Sequence, residues 1–285
     1  MSEKDDARKQ VSEFYTRSVT AGTGCCDGPT LPKGIAARQA GYSEDDLGVV
    51  PEDAADSSFG CGNPLAFAGV EVGQTVLDLG CGAGLDLLIA SKKVGPGGRV
   101  IGVDMTDEMI ARARVNMAAA GADNVEIRKG IIEALPVEDG SVDWVISNCV
   151  INLSPEKDKV FAEIARVLRP GGHLSVSDIV ARDLPDWARH DVDLIGSCVG
   201  GAIPEEDYAA GLRAAGLEDV EVVERMIYDQ AQIAAFIGAV LADGEVPAGA
   251  CCGCGPKDRL LRGPAAVAAL EGKVWSAKFQ ARMPL

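Results

Sequence analysis

Five short apolar runs, spaced so that helical or turn sequence separates each from the next, constrain this chain more than any other feature. They are TVLDL (75–79), RVIGV (99–103), NVEIRK (124–129), DWVISN (143–148) and HLSVSDI (173–179). LDLLIASKKV lies between the first two and DEMIARARVNMAAA between the second and third, both with helical periodicity. From Pro155 to Leu168 the chain places Val160, Ile164 and Val167 on one helical face. Strands that alternate with helices need crossover connections, so the pattern predicts an α/β fold with a mostly parallel sheet and helices on both faces. That core is expected over residues 70–228.

The flanks are less periodic. Residues 1–69 are expected to form an N-terminal cap that begins with a short amphipathic helix and carries Cys25, Cys26 and Cys61. Within it, Glu44, Asp45, Asp46, Glu52, Asp53 and Asp56, with no base among them, read as a solvated loop. After residue 200, EEDYAAGLRAAG reads as a helix and DVEVVERM as a strand. In KVWSAKFQARMP, Trp275, Ala277, Phe279 and Ala281 alternate with polar residues, as in a half-buried strand that completes the sheet. Residues 229–285 then hold an insertion, 229–272, with Cys251, Cys252 and Cys254, followed by that last strand.

Charge narrows the function. With 43 Asp+Glu against 27 Lys+Arg the formal net charge is −16, which repels phosphate backbones and argues against a nucleic-acid substrate. No apolar stretch reaches the roughly 18 residues of a membrane helix, and MSEKDDARKQ lacks a signal-peptide core, so a cytoplasmic chain without a membrane partner is expected. Nine cysteines in that setting read as reactive thiols rather than structural disulfides. Two histidines leave little material for histidine bases; His173 reads as decorating a strand start, His190 as a surface residue, and Trp144 as core.

Val76-Leu77-Asp78-Leu79-Gly80-Cys81-Gly82-Ala83-Gly84 runs from a strand through a glycine turn into a helix. Glycines there permit φ > 0 and close approach of a ligand to the backbone. Twenty residues on, Asp104 ends the second strand, where a carboxylate accepts ribose hydroxyls. These pieces resemble motifs I and II of class I methyltransferases; KGIIEALP (129–136) resembles their adenine-bordering segment and LRPGG (168–172) their turn before the fifth strand. The resemblance implies a Rossmann-like sheet and S-adenosylmethionine as cofactor. It also implies contacts from Asp78, Gly80, Gly82, Gly84, Asp104, Met105, Ile132, Glu133 and Asn148.

In such sheets ligands sit beyond the carboxyl ends of the strands. After the fourth run stands Ser147-Asn148-Cys149-Val150-Ile151-Asn152-Leu153, without an NPPY-type motif or a carboxylate cluster. FGCGNP (59–64) and GSCVGGA (196–202) flank the sheet and can fold over the same edge, bringing Cys61 and Cys198 toward Cys149. These strings, with CC at 25–26 and GYSEDDLGVVPEDAADSSFGCGNP (41–64), resemble the arsenite S-adenosylmethionine methyltransferases over residues 11 to about 226. The resemblance implies that Cys61, Cys149 and Cys198 bind arsenic(III), as arsenite or its thiol conjugates, and share its redox cycle. A fourth family cysteine matches Cys26 or Cys25, and thioredoxin or glutathione is the implied reductant. Cys81 reads as a small buried residue. Two other readings stay open: a methyltransferase for a quinone-like acceptor, and a zinc-binding thiolate protein on the same scaffold.

Overall fold

In the computed structural model, residues 3–20, 40–48, 50–56, 60–66, 68–237 and 264–285 are described. Helix α1 (Glu3–Thr20) opens the chain, and two short helices follow, α2 (Glu44–Gly48) and α3 (Glu52–Asp56). The acidic stretch expected as a solvated loop is therefore helical in part. The Ser43 hydroxyl accepts the Asp46 amide at 3.1 Å while Asp46 accepts the Ser43 amide, a reciprocal cap that starts α2. Acids in its first turn favour the helix dipole, and Ala54 and Ala55 of α3 are buried.

The core alternates as the spacing predicts. Strand β1 (Thr75–Leu79), α4 (Leu85–Val94), β2 (Arg99–Asp104), α5 (Asp107–Ala120), β3 (Val125–Lys129) and β4 (Val142–Asn148) follow one another. A single turn of 3-10 helix, Ile151–Leu153, leads to α6 (Lys157–Val167) and β5 (Leu168–Ala181). Two short helices, α7 (Asp186–Arg189) and α8 (Val192–Gly196), precede α9 (Glu205–Ala214) and β6 (Glu218–Ile227). Helices α10 (Gln230–Ile237) and α11 (Pro264–Leu270) and strand β7 (Val274–Arg282) close the chain.

Seven strands form one sheet in the order β3-β2-β1-β4-β5-β7-β6. The first five are parallel, and β7 lies antiparallel between β5 and β6. Val76, Leu77 and Leu79 are fully buried because helices cover both faces, which is why the central runs are almost continuously apolar. Strand order reverses between β1 and β4, so the connections that leave these paired strand ends run to opposite sides and leave a crevice between them.

Two strand assignments change. LRPGG, expected as a turn, is the bulged start of β5: Leu168 pairs with Val142, then the register shifts before Trp144 pairs with His173. Strand β7 is not half-buried but an inner strand, with Ser276 and Lys278 buried as well as Ala277 and Phe279. Lys278 is held there by an ion pair to Glu224 at 2.7 Å. Trp144 is buried as expected, stacked on His173 at 4.7 Å between ring centroids, and His190 is exposed.

Candidate active site

The glycine turn leaves β1 with Gly80 at φ +66° and Gly82 at φ +51°, conformations that side chains rarely adopt. A Cβ on Gly80 would also collide with Val150, which follows β4 across the crevice. The Gly80 and Cys81 amides donate to the Val103 carbonyl at 2.8 and 3.1 Å, tying the turn to the end of β2. Asp104 fastens it further, accepting from the Gly82 amide at 2.9 Å and the Thr106 amide at 2.8 Å. Gly84, at φ +93°, starts α4, where a Cβ would press on Met117 of α5, so its part is helix packing rather than the cavity wall.

Beyond this turn opens a cleft. Its walls include Asp78, Gly80, Gly82, Asp104, Met105, Ile132, Glu133 and Asn148, eight of the nine residues expected to contact the cofactor. Cys81, buried as expected, also reaches the wall, as do Asp86 and, just after β4, Cys149 and Val150. Four carboxylates thus face one cavity, with Arg8 of α1 as a cationic wall residue engaged by Glu133 at 3.1 Å. Burial pushes Asp86 up to about 6, against hydrogen bonds from Tyr42 and Asn148 that pull it down. Burial likewise raises Asp78 well above the ordinary carboxylate range, and the charges of Asp86 and Asp104 add to the effect. Such a cavity favours a cationic ligand, which relieves the repulsion among its carboxylates.

Asn148 ties the end of β4 to the segment that precedes the sheet. Its carbonyl oxygen accepts the Cys61 amide at 3.0 Å and the Gly62 amide at 3.3 Å, while its amide donates to the Gly62 carbonyl at 2.6 Å and to Tyr42 at 2.9 Å. The segment before the sheet is therefore clamped over the end of β4, as the edge-covering expectation required. A Cβ at Gly60 would strike Asn148, and one at Gly62 would strike Ser177, so the glycines of this segment permit the close approach.

Cys61, Cys149 and Cys198 fall in one buried cluster with Ile179, Leu184, Leu194 and Val199. Cys61 and Cys149 are joined by a disulfide, with Cα atoms 5.9 Å apart. Cys198 is a free, buried thiol that donates to the Cys149 carbonyl at 2.6 Å. Among the described residues four non-glycines have positive φ, and two of them are Cys149 at 57° and Cys198 at 65°. Asp tolerates that region readily, cysteine does not, so strain collects at these two cysteines. Burial pushes the Cys198 thiol well up, helped by the Asp178 charge, which favours the protonated form. Ile233 and Ala234 of α10 and Val267 and Leu270 of α11 pack in the same cluster.

Several site residues escaped sequence reasoning. Arg8, Val11 and Tyr15 of α1 line the cleft, and Tyr15 donates to the Gly196 carbonyl at 3.2 Å, next to the Cys198 segment. The i, i+3, i+7 spacing of Arg8, Val11 and Tyr15 gave one helix face but no indication of what it covers. Asp178, inside HLSVSDI, is buried and pushed up to about 7 by that burial; an acid in the middle of an apolar strand was the signal available. Among the described residues, Cys61, Cys149 and Asp178 make a group of three potential ligand atoms within 4.8 Å of one another. Cys25, Cys26, Cys251, Cys252 and Cys254 lie outside the described residues.

A methyltransferase-domain family model matches residues 71–230. An arsenite methyltransferase of Halobacterium salinarum is 46% identical over 236 residues, which is 78% of this chain and 60% of that protein. The human arsenite methyltransferase is 35% identical over 212 residues, 70% of this chain and 54% of its own length. The chain thus spans little more than half of these curated relatives. The crystal structure of an arsenic(III) S-adenosylmethionine methyltransferase from Chlamydomonas reinhardtii superposes with a TM-score of 0.60 at 30% identity, covering 90% of this chain and 75% of that one.

Proposed function

The chain belongs to the arsenic(III) S-adenosylmethionine methyltransferase family, and from that premise we propose that it moves methyl groups from S-adenosylmethionine to trivalent arsenic held by its cysteines. One observation carries the proposal: Cys149 forms part of the cleft wall and is also bonded to Cys61 and hydrogen-bonded to Cys198. The methyl-donor cavity and the thiol cluster therefore meet at a single residue.

S-adenosylmethionine, when bound, supplies a methyl group on a cationic sulfur. The acidic cleft suits that charge, and Asp104, already fixed by two backbone amides, is the acceptor for the ribose hydroxyls. Ile132 and Glu133 line the part of the cleft assigned to the adenine. Arsenic(III) is thiophilic, so reduced cysteines displace its hydroxides and hold a pyramidal centre whose lone pair stays exposed. Such a nucleophile loses no proton on methylation, so no general base is needed beside Cys149. Rate comes from holding donor and acceptor in reach of each other. Cys198, whose burial favours the protonated thiol, gives up its proton as arsenic binds.

Methylation formally oxidises arsenic, and closure of the Cys61–Cys149 bond returns the electrons. Thioredoxin or glutathione then reopens the pair. The setting is cytoplasmic, and no described helix is long and apolar enough to cross a membrane. A net charge of −16 disfavours nucleic acid as a partner.

Serine substitution tests the assignment, because it keeps the size and replaces a soft sulfur with a hydroxyl. Cys149→Ser and Cys198→Ser should abolish methylation of both arsenite and monomethylarsonous acid. Cys61→Ser should lose arsenite turnover yet retain the second substrate, which has two exchangeable positions rather than three. Full activity of all three variants would overturn the arsenic assignment; equal loss of both activities in Cys61→Ser would overturn the stepwise division.

A further inference from the structure

Among the described residues, one carboxylate shares the sulfur cluster. An oxygen of Asp178 and the Sγ atoms of Cys61 and Cys149 lie within 4.8 Å of one another, and all three side chains are buried. Asp178 stands in β5 beside Ser177, whose carbonyl accepts the Cys149 amide at 2.9 Å, so sheet pairing sets its position relative to the sulfur pair. Its Oδ1 accepts two hydrogen bonds, from Asn152 Nδ2 at 2.8 Å and from the Ile179 amide at 2.9 Å. Its Oδ2 accepts the longer one, 3.3 Å, from the Tyr208 hydroxyl of α9. The group is thereby fixed on one oxygen while the other keeps capacity for a proton.

No ion pair to Asp178 forms among the described residues. Lys157, whose charge acts on it, donates instead to the carbonyls of Asn152 and Ser154 at 3.1 and 3.0 Å. A buried acid without a paired cation costs stability, and an amide would accept the Asn152 and Ile179 hydrogen bonds equally well. What an amide does not do is exchange a proton with a departing sulfur.

We propose that Asp178 is the proton donor and acceptor for the Cys61–Cys149 pair as that bond opens and closes. The proposal rests on the reading that this pair cycles between disulfide and dithiol. A thiolate of a dithiol reductant attacks one sulfur, a mixed disulfide forms, and the other sulfur leaves with the bonding electrons. Among apolar side chains that anion is poorly solvated, and Asp178 gives it a proton. The reductant's second thiol passes its proton to Asp178 and closes on the mixed disulfide. The second cysteine is released and takes up from solvent the proton that the first attacking thiol had lost. Two electrons and two protons pass from the reductant to the pair, and Asp178 ends as it began.

The test follows the Cys61–Cys149 cross-linked peptide by mass spectrometry after dithiothreitol is added to the oxidised full chain. Asp178→Asn should slow its disappearance at least tenfold, within the range of proton-transfer catalysis, and Asp178→Glu should restore most of the rate. Reduction of Asp178→Asn at the wild-type rate would overturn the proposal, and so would equal slowing in both variants, since that reports shape rather than a proton. Failure to find the cross-linked peptide in oxidised wild-type protein is a separate outcome: it defeats the cycling reading, and the proposal with it.

Discussion

Asp86 feels the conflict between burial and charge that the cleft creates. Its carboxyl is held at about 6, above the ordinary 3.8, chiefly by burial. An acid raised in the folded state contributes stability that is complete below its ordinary value and is lost as pH climbs through the folded value. The empty protein should therefore lose on the order of 3 kcal/mol from this group between about pH 4 and pH 6. Bound S-adenosylmethionine reverses the preference by placing positive charge near the ionised form. Its affinity, measured by calorimetry, should rise between about pH 5 and pH 7, and Asp86→Asn should flatten that rise; an unchanged profile in the variant would contradict the role. Asp104 answers to a different measurement. Its alanine variant loses charge-assisted hydrogen bonds and frees the Gly82 amide, so affinity should fall about 10- to 100-fold. Equal affinity in the variant would remove Asp104 from the cofactor site.

Elements were legible in proportion to how far local chemistry decides them. Asp107–Ala120 and Leu85–Val94 were read to the residue, because an apolar stripe and a following glycine or turn bound each of them. The sheet order at its far end was not fully legible. The alternation in β7 marks a strand but not its neighbours, and only tertiary pairing with both β5 and β6 buries Lys278. The same limit hid the place of α1. Its sequence marks a helix, yet its role as a strap over the cleft depends on partners 125 and 148 residues away: Arg8 reaches Glu133 and Glu156 at 3.1 and 2.6 Å. On the other side, Gly196 lies flat against the Phe14 ring, where any Cβ would collide. Arg8→Met should loosen this strap, speeding amide exchange over residues 3–20 about tenfold. Unchanged exchange would mean that apolar packing alone holds the helix.

At the scale of the molecule, the fold brings segments more than 80 residues apart onto one sheet edge and joins two of them covalently. Cys61 and Cys149 are 88 residues apart in sequence, so on the chain-entropy account their bond stabilises the fold by about 4–5 kcal/mol. Opening it with a phosphine should lower the thermal midpoint by roughly 8 °C, and Cys61→Ser should be insensitive to the phosphine. The candidate thiols themselves were legible, since each stands in a distinctive string. That Asp178 joins them was not, because an acid in β5 meets Cys61 only after the N-terminal segment folds over Asn148. If donor cleft and thiol cluster form one site for arsenic, product speciation reports it directly. The full chain is incubated with arsenite, methyl-labelled S-adenosylmethionine and a thiol, and the arsenic species are separated and counted. Label should appear on arsenic and be lost in Cys149→Ser. Unmethylated arsenite after prolonged incubation, from protein that binds S-adenosylmethionine normally, would contradict it.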